Sequence, residues 1–136
     1  MTGRFDHERG SVSVELAILA PLVGILLAAV VLVGRVQIAR ADVEGAARSA
    51  ARELSIARDP YASVEEVRIG LDSTLQVGSP SCRELSFTTT IGATEVSVTL
   101  TCTVDLQEAA VLPVPGSMAI SASASEIVDV YREEGR

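Results

Sequence analysis

Three residues near the N-terminus, Gly10, Ser11 and Glu15, have the types and spacing for one specific piece of chemistry. A cut between Gly10 and Ser11 would free an α-amino group at Ser11, and in a helix Glu15 lies one turn further on, on the same face. Amine and carboxylate would then neutralise each other, within one chain or between neighbours packed side by side. Gly10 suits a protease that must hold backbone closely, because it has no side chain. A carboxylate in the first turn also suits the positive end of the helix dipole, by about 0.3–1 kcal/mol. A second pair, Cys82 and Cys102, reads as a disulfide in an oxidising compartment, since a small aromatic-poor domain gains from a cross-link; the alternative is two separate buried thiols. Little else can do chemistry. His7 is the single histidine and lies in the segment such a cut would remove, so the trimmed chain has no imidazole base. The cysteines form no CxxC, no His, Cys or carboxylate cluster has metal-ligand spacing, and no phosphate-cradling glycine loop occurs. Asp105 and Glu108 read as solvated carboxylates before they read as a weak cation site. The expectation is a protein with no enzymatic activity, no cofactor and no metal.

Glu15 stands at the mouth of LAILAPLVGILLAAVVLVG, Leu16 to Gly34, a run without a charge or a strongly polar side chain. As a helix it covers about 28 Å, close to the roughly 30 Å of a bilayer's hydrocarbon. A buried core helix this apolar needs a larger protein around it than the rest of the chain supplies. A cleaved secretory signal is shorter and ends in a small-residue cleavage site, whereas Arg35 follows this run directly. Membrane anchoring is the expectation, and a carboxylate at a helix entering lipid is costly enough to invite a functional reason. Pro21 removes a backbone hydrogen bond inside the run and predicts a kink. Flanking arginines, Arg4 and Arg9 against Arg35 and Arg40, nearly tie and do not orient the segment. The cysteines do, by placing the C-terminal body on the oxidising side.

Gly10, Ser11, Val12, Ser13, Val14 and Glu15, followed by the long apolar run, resemble a type IV prepilin-like signal, in which a membrane aspartyl peptidase cuts after the glycine. More narrowly, GSVSVELAILAPLVGILLAAVVLVGRVQ looks like the TadE-like family of pseudopilins from tight-adherence (Flp) pilus systems. The shared features are Gly10 with Ser11, Val14 with Glu15, the early Pro21, and Gly34 with Arg35. Leu16 departs from the Phe or Tyr that members often carry after the glutamate, which keeps the hydrophobicity and weakens the peptidase motif. What the resemblance implies is a pseudopilin or minor pilin acting structurally in assembling or initiating a tight-adherence pilus. Its implied partners are the membrane, other pilin-like subunits, a prepilin peptidase and an inner-membrane assembly platform. The alternative is an uncleaved, signal-anchored extracytoplasmic interaction module of a secretion complex.

The elements that must position these residues follow from periodicity. Beyond Arg35 the chain is Ala-rich and free of proline up to Pro60, with Val43, Ala46 or Ala47, Ala50 or Ala51 and Leu54 at helical spacing, so one helix is predicted from about Ser11 to about Ala57. Its small side chains serve equally to cover the protein's own sheet or to let another helix approach. Asp59 and Pro60 end it. Ser63 to Glu66 is a capping-box pattern, and Val64, Val67, Leu71 and Leu75 predict a second helix from about Val64 to Gln76. Alternation then predicts a hairpin: Leu85, Phe87 and Ile91, a two-residue loop at Gly92 and Ala93, and Val96 through Leu106. That loop pairs Leu85 with Leu100 and Phe87 with Val98, and it requires Cys82 to sit in a bend or bulge to reach Cys102. Pro113 to Gly116 form a loop, and a last strand runs from Ala119 to about Tyr131.

At 136 residues the chain holds one small domain and an appendage, too little for a large multidomain enzyme. All eleven basic residues are arginines, and the net charge of −7 argues against nucleic acid as a partner. A basic neck precedes an acidic body, most simply a surface that keeps a small exported domain soluble. The expected organisation is a leader at 1–10, a transmembrane helix at 11–34, a helical stalk at 35–58 and a small α+β domain at 59–136. The domain has a short helix and about three antiparallel strands packed on the stalk. The expected location is the cytoplasmic membrane, single-pass, with the C-terminal domain extracytoplasmic or pilus-associated.

Overall fold

The computed structural model describes residues 6–77, 82–110 and 115–128, with the side chains of residues 6–12, 108 and 109 outside that description. One helix, α1 (Asp6–Ile56), dominates the chain; its 51 residues extend about 77 Å at 1.5 Å each. It begins upstream of the expected Ser11, because nothing from Asp6 to Gly10 forbids helical backbone. It stops at Ile56 because Pro60 has no N–H to offer and its ring would collide with the Ile56 carbonyl in a continued helix.

Helix α2 (Pro60–Val77) starts earlier than the expected Val64. The capping box at Ser63 is not its beginning. Asp59 is the cap: its Oδ1 accepts from the Ala62 N–H at 3.1 Å, and its carbonyl accepts from the Ser63 N–H at 3.2 Å and from Ser63 Oγ at 3.0 Å. Pro60 takes the first helical position, where its missing donor costs nothing.

Three strands, β1 (Cys82–Ile91), β2 (Glu95–Asp105) and β3 (Ser117–Ile127), form an antiparallel sheet in the order β1-β2-β3. The predicted α+β architecture is therefore present. The hairpin turn lies one residue later than expected. The Gly92 N–H donates to the Glu95 carbonyl at 2.8 Å, which closes the turn on Ala93 and Thr94 and pairs Leu85 with Cys102 and Phe87 with Leu100. The displacement moves each partner by two positions, and side chains repeat every two, so the apolar face is unchanged. Strand β2 ends at Asp105, and Leu106 is not its last inward residue. A single helical turn, α3 (Leu106–Ala109), follows because the Asp105 carboxylate accepts from the Gln107 N–H at 2.8 Å. Strand β3 ends at Ile127, and the expected continuation through Val130 to Tyr131 lies outside the described residues. Gly116, before β3, has φ +125°, which only glycine adopts without strain, and its carbonyl accepts from the Leu106 N–H at 3.0 Å.

The core lies between the C-terminal half of α1 and one face of the sheet. Ala39, Val43, Ala47, Ala50, Ala51 and Leu54 from α1 meet Val96, Val98, Leu100, Cys102 and Val104 from β2 and Ile120 from β3, all buried. Val67 and Leu75 of α2 close one side, with Val64 and Leu71 half-buried beside them. The alanine stripe of α1 thus covers the protein's own sheet over these positions. Small side chains there let β2 and β3 approach the helix closely. The opposite sheet face is a grid of hydroxyls: Ser86, Thr101 and Ser121 form one cross-strand row, and Thr88, Thr99 and Ser123 the next.

Candidate functional site

The N-terminal half of α1 has no place in that core. From Val14 to Val33 its large apolar side chains, apart from the half-buried Leu32, are 41–68% exposed, and the most apolar stretch of the helix buries nothing inside the chain. A continuous apolar surface of this extent demands a non-aqueous neighbour. It is the one helix among the described residues long and apolar enough to cross a membrane. Gly10, Ser11, Glu15 and Pro21 all lie on this helix. The backbone places Ser11 and Glu15 one turn apart on one face, as the proposed amine–carboxylate pairing requires. The side chain of Ser11 lies outside the described residues, and Glu15 is exposed at the edge of the apolar surface.

At the far end of α1 the two cysteines meet. Cys82 and Cys102 form a disulfide with their Cα atoms 5.5 Å apart, and both are buried. Pairing is regular from Glu84 to Ile91, and a β-bulge at Arg83 separates it from Cys82, which faces Val104. In β1 the inward residues are odd-numbered, Leu85, Phe87 and Ile91. Cys82 would point outward in a regular strand, and the extra residue turns it inward to Cys102. The bulge expected from the pairing register is therefore the device that makes the cross-link geometrically possible. Arg83, displaced outward, reaches the half-buried Asp105 carboxylate at 3.0 Å. Asp105 thus caps α3 with one oxygen and holds Arg83 with the other, rather than standing as a solvated or cation-binding carboxylate.

Beside the disulfide, an open groove of about 840 Å³ runs between α1 and α2. Its walls carry small residues, Gly45, Ala46 and Ser49 on α1 and Gly70 and Thr74 on α2, and the two cysteines lie at its base. Three carboxylates line it, Asp42 and Glu53 on α1 and Glu66 on α2. No ion pair involves any of the three among the described residues. Neither the groove nor the Arg83–Asp105 clasp was visible in the sequence. The signal for the groove was Asp42 and Glu53, eleven residues apart and hence on one helix face, with Gly45 and Ser49 between them. Elsewhere the charged face of α2 is solvated: Glu65 and Arg68 pair at 2.7 Å, and this contact holds the Glu65 carboxyl below the usual glutamate range.

Fold and site together define a class: a chain carried on one long, apolar N-terminal helix, with a small disulfide-stapled α+β head folded against that helix's C-terminal half. Residues 10–52 match the family model described as TadE-like protein, the family whose N-terminal segment this chain resembles. The match begins at Gly10 and ends within the buried part of α1. No curated protein and no solved structure matches the chain.

Proposed function

We propose that this protein is a pilin-like subunit of a tight-adherence pilus system, a structural component and not an enzyme. A prepilin-type peptidase removes residues 1–10, the apolar half of α1 spans the cytoplasmic membrane, and the head lies on the extracytoplasmic side. The observation that carries the reading is the family match over residues 10–52, which starts at the glycine the cleavage motif requires. The bare apolar surface from Val14 to Val33 supports anchoring, and the disulfide supports an oxidising compartment for the head. In this reading the freed Ser11 amine and Glu15 neutralise each other where subunits pack side by side in lipid, because an unpaired carboxylate there is costly.

The test is copurification from host membranes. Wild-type protein brings down pilin-like subunits. Glu15→Ala stays in the membrane fraction, is trimmed normally and loses those subunits. Unchanged copurification by Glu15→Ala refutes the amine pairing, and a wild-type chain that brings down no pilin-like subunit refutes the reading as a whole. Thiol trapping in intact cells tests the side: the head should show no free thiol, and reduced cysteines would place it in the cytosol.

A further inference from the structure

We infer that the groove between α1 and α2 is the receiving half of a contact with a second copy of this chain, whose delivering half is the Arg48 and Arg52 face of α1. The inference rests on the membrane-anchored reading above, because anchoring is what makes copies parallel and sets them at one depth.

Three observations meet here. The groove is open, walled by small residues at Gly45 and Gly70, and lined by the carboxylates of Asp42, Glu53 and Glu66. A space of this shape and sign accepts long cationic side chains, whose aliphatic stems lie along apolar walls while the guanidinium reaches the acids. The same helix carries the complement on another side. Arg48 and Arg52, four residues apart, share one exposed face, about 110° round the helix from the face of Asp42 and Glu53. Arg52 makes no ion pair among the described residues, and Arg48 makes only an exposed contact of 3.5 Å to Glu44. Finally, donors and acceptors match in height. Arg52 and Glu53 are neighbours in sequence, so two parallel helices at equal depth bring Arg52 of one copy level with Glu53 of the next, within about 1.5 Å along the axis. Arg48 falls between the levels of Asp42 and Glu53.

The two halves are different patches of one molecule, so the contact is heterologous: every copy offers its arginines to one neighbour and its groove to another. Copies therefore line up in the plane of the membrane as a row or ring. The equal-depth alignment distinguishes this contact from packing in which each subunit is stepped along the axis by several residues.

The experiment uses the full chain, reconstituted in phosphatidylcholine vesicles, with donor- and acceptor-labelled populations and energy transfer as the readout. Wild type should show transfer that falls as salt rises. Arg48→Glu/Arg52→Glu and, separately, Asp42→Arg/Glu53→Arg/Glu66→Arg should each weaken self-association about tenfold or more, since each sets like charges against like. Mixing the two variants should restore transfer, because the acidic face of one then meets the basic groove of the other, and the reverse contact is complementary too. All five positions are exposed, so circular dichroism and a closed disulfide should be retained and serve as the folding control. Undiminished transfer in either single population, or no restoration on mixing two folded variants, overturns the inference. Processing after Gly10 is measured on the same preparations when expressed with the peptidase. Its failure would refute the proposed function without touching the transfer result, and the converse outcome would refute only this contact.

Discussion

Removing the disulfide is the sharpest test of how the head is held together. Cys82 and Cys102 close a loop with a sequence separation of 20. In the chain-entropy account a loop of this length restricts the unfolded chain by about 3 kcal/mol at 25 °C. A small domain has total stability of the order of 5–10 kcal/mol, so the loss should be visible. The perturbation is Cys82→Ala/Cys102→Ala, and the assay is urea unfolding of the full chain in detergent, followed by tyrosine fluorescence. Tyr61 is a suitable reporter because its hydroxyl donates to the Ile91 carbonyl at 3.2 Å and so bridges α2 and β1. The bulge supplies an internal control. Arg83→Ala leaves the bulge and the cross-link in place and removes an ion pair whose guanidinium is exposed but whose Asp105 carboxylate is half-buried, so it should cost about 1–2 kcal/mol, less than the cross-link. Deleting Arg83 should convert the bulge to regular pairing, with Cys82 still facing inward opposite Val104 and the disulfide closed. A cysteine-free head within about 1 kcal/mol of wild type, or free thiols after the deletion, would refute the reasoning.

Leu54→Ala empties a fully buried position where α1 meets the sheet and should cost about 2–5 kcal/mol in the same unfolding assay, exposing the head without releasing the chain from detergent. Asp59→Ala removes the cap of α2 and should cost about 1 kcal/mol, read by the same assay, with Asp59→Asn close to wild type. The Glu65 carboxyl is held low by its hydrogen bond from Arg68, so its contribution is present above the ordinary glutamate range and disappears as pH falls through the lowered value. NMR titration of that carboxyl should move up towards the ordinary range in Arg68→Ala; since both groups are exposed, the melting temperature at neutral pH should hardly change.

Much of this architecture was legible because long periodic signals survive local ambiguity. The apolar run from Leu16 to Gly34 is helical under every reading of it, the alternation of Val96, Val98, Leu100, Cys102 and Val104 is a strand's, and the resemblance from Gly10 was recognisable from its residues. Boundaries were less legible where two local signals competed. Ser63 to Glu66 reads as a helix start, but Asp59 with Pro60 caps the chain one turn earlier, and the nearer signal in sequence lost. Period-two alternation cannot distinguish hairpin registers that differ by two, so only the Gly92–Glu95 hydrogen bond fixes the turn. The groove stayed hidden because it joins residues of α1 and α2 that no local pattern connects.

The central claim is that this chain is trimmed after Gly10 and works from the membrane, and the intact mass of protein extracted from its host's membranes tests it most directly. The account predicts a polypeptide that begins at Ser11. A membrane-extracted chain that still carries Arg4 to Arg9 would contradict it and favour an uncleaved anchor.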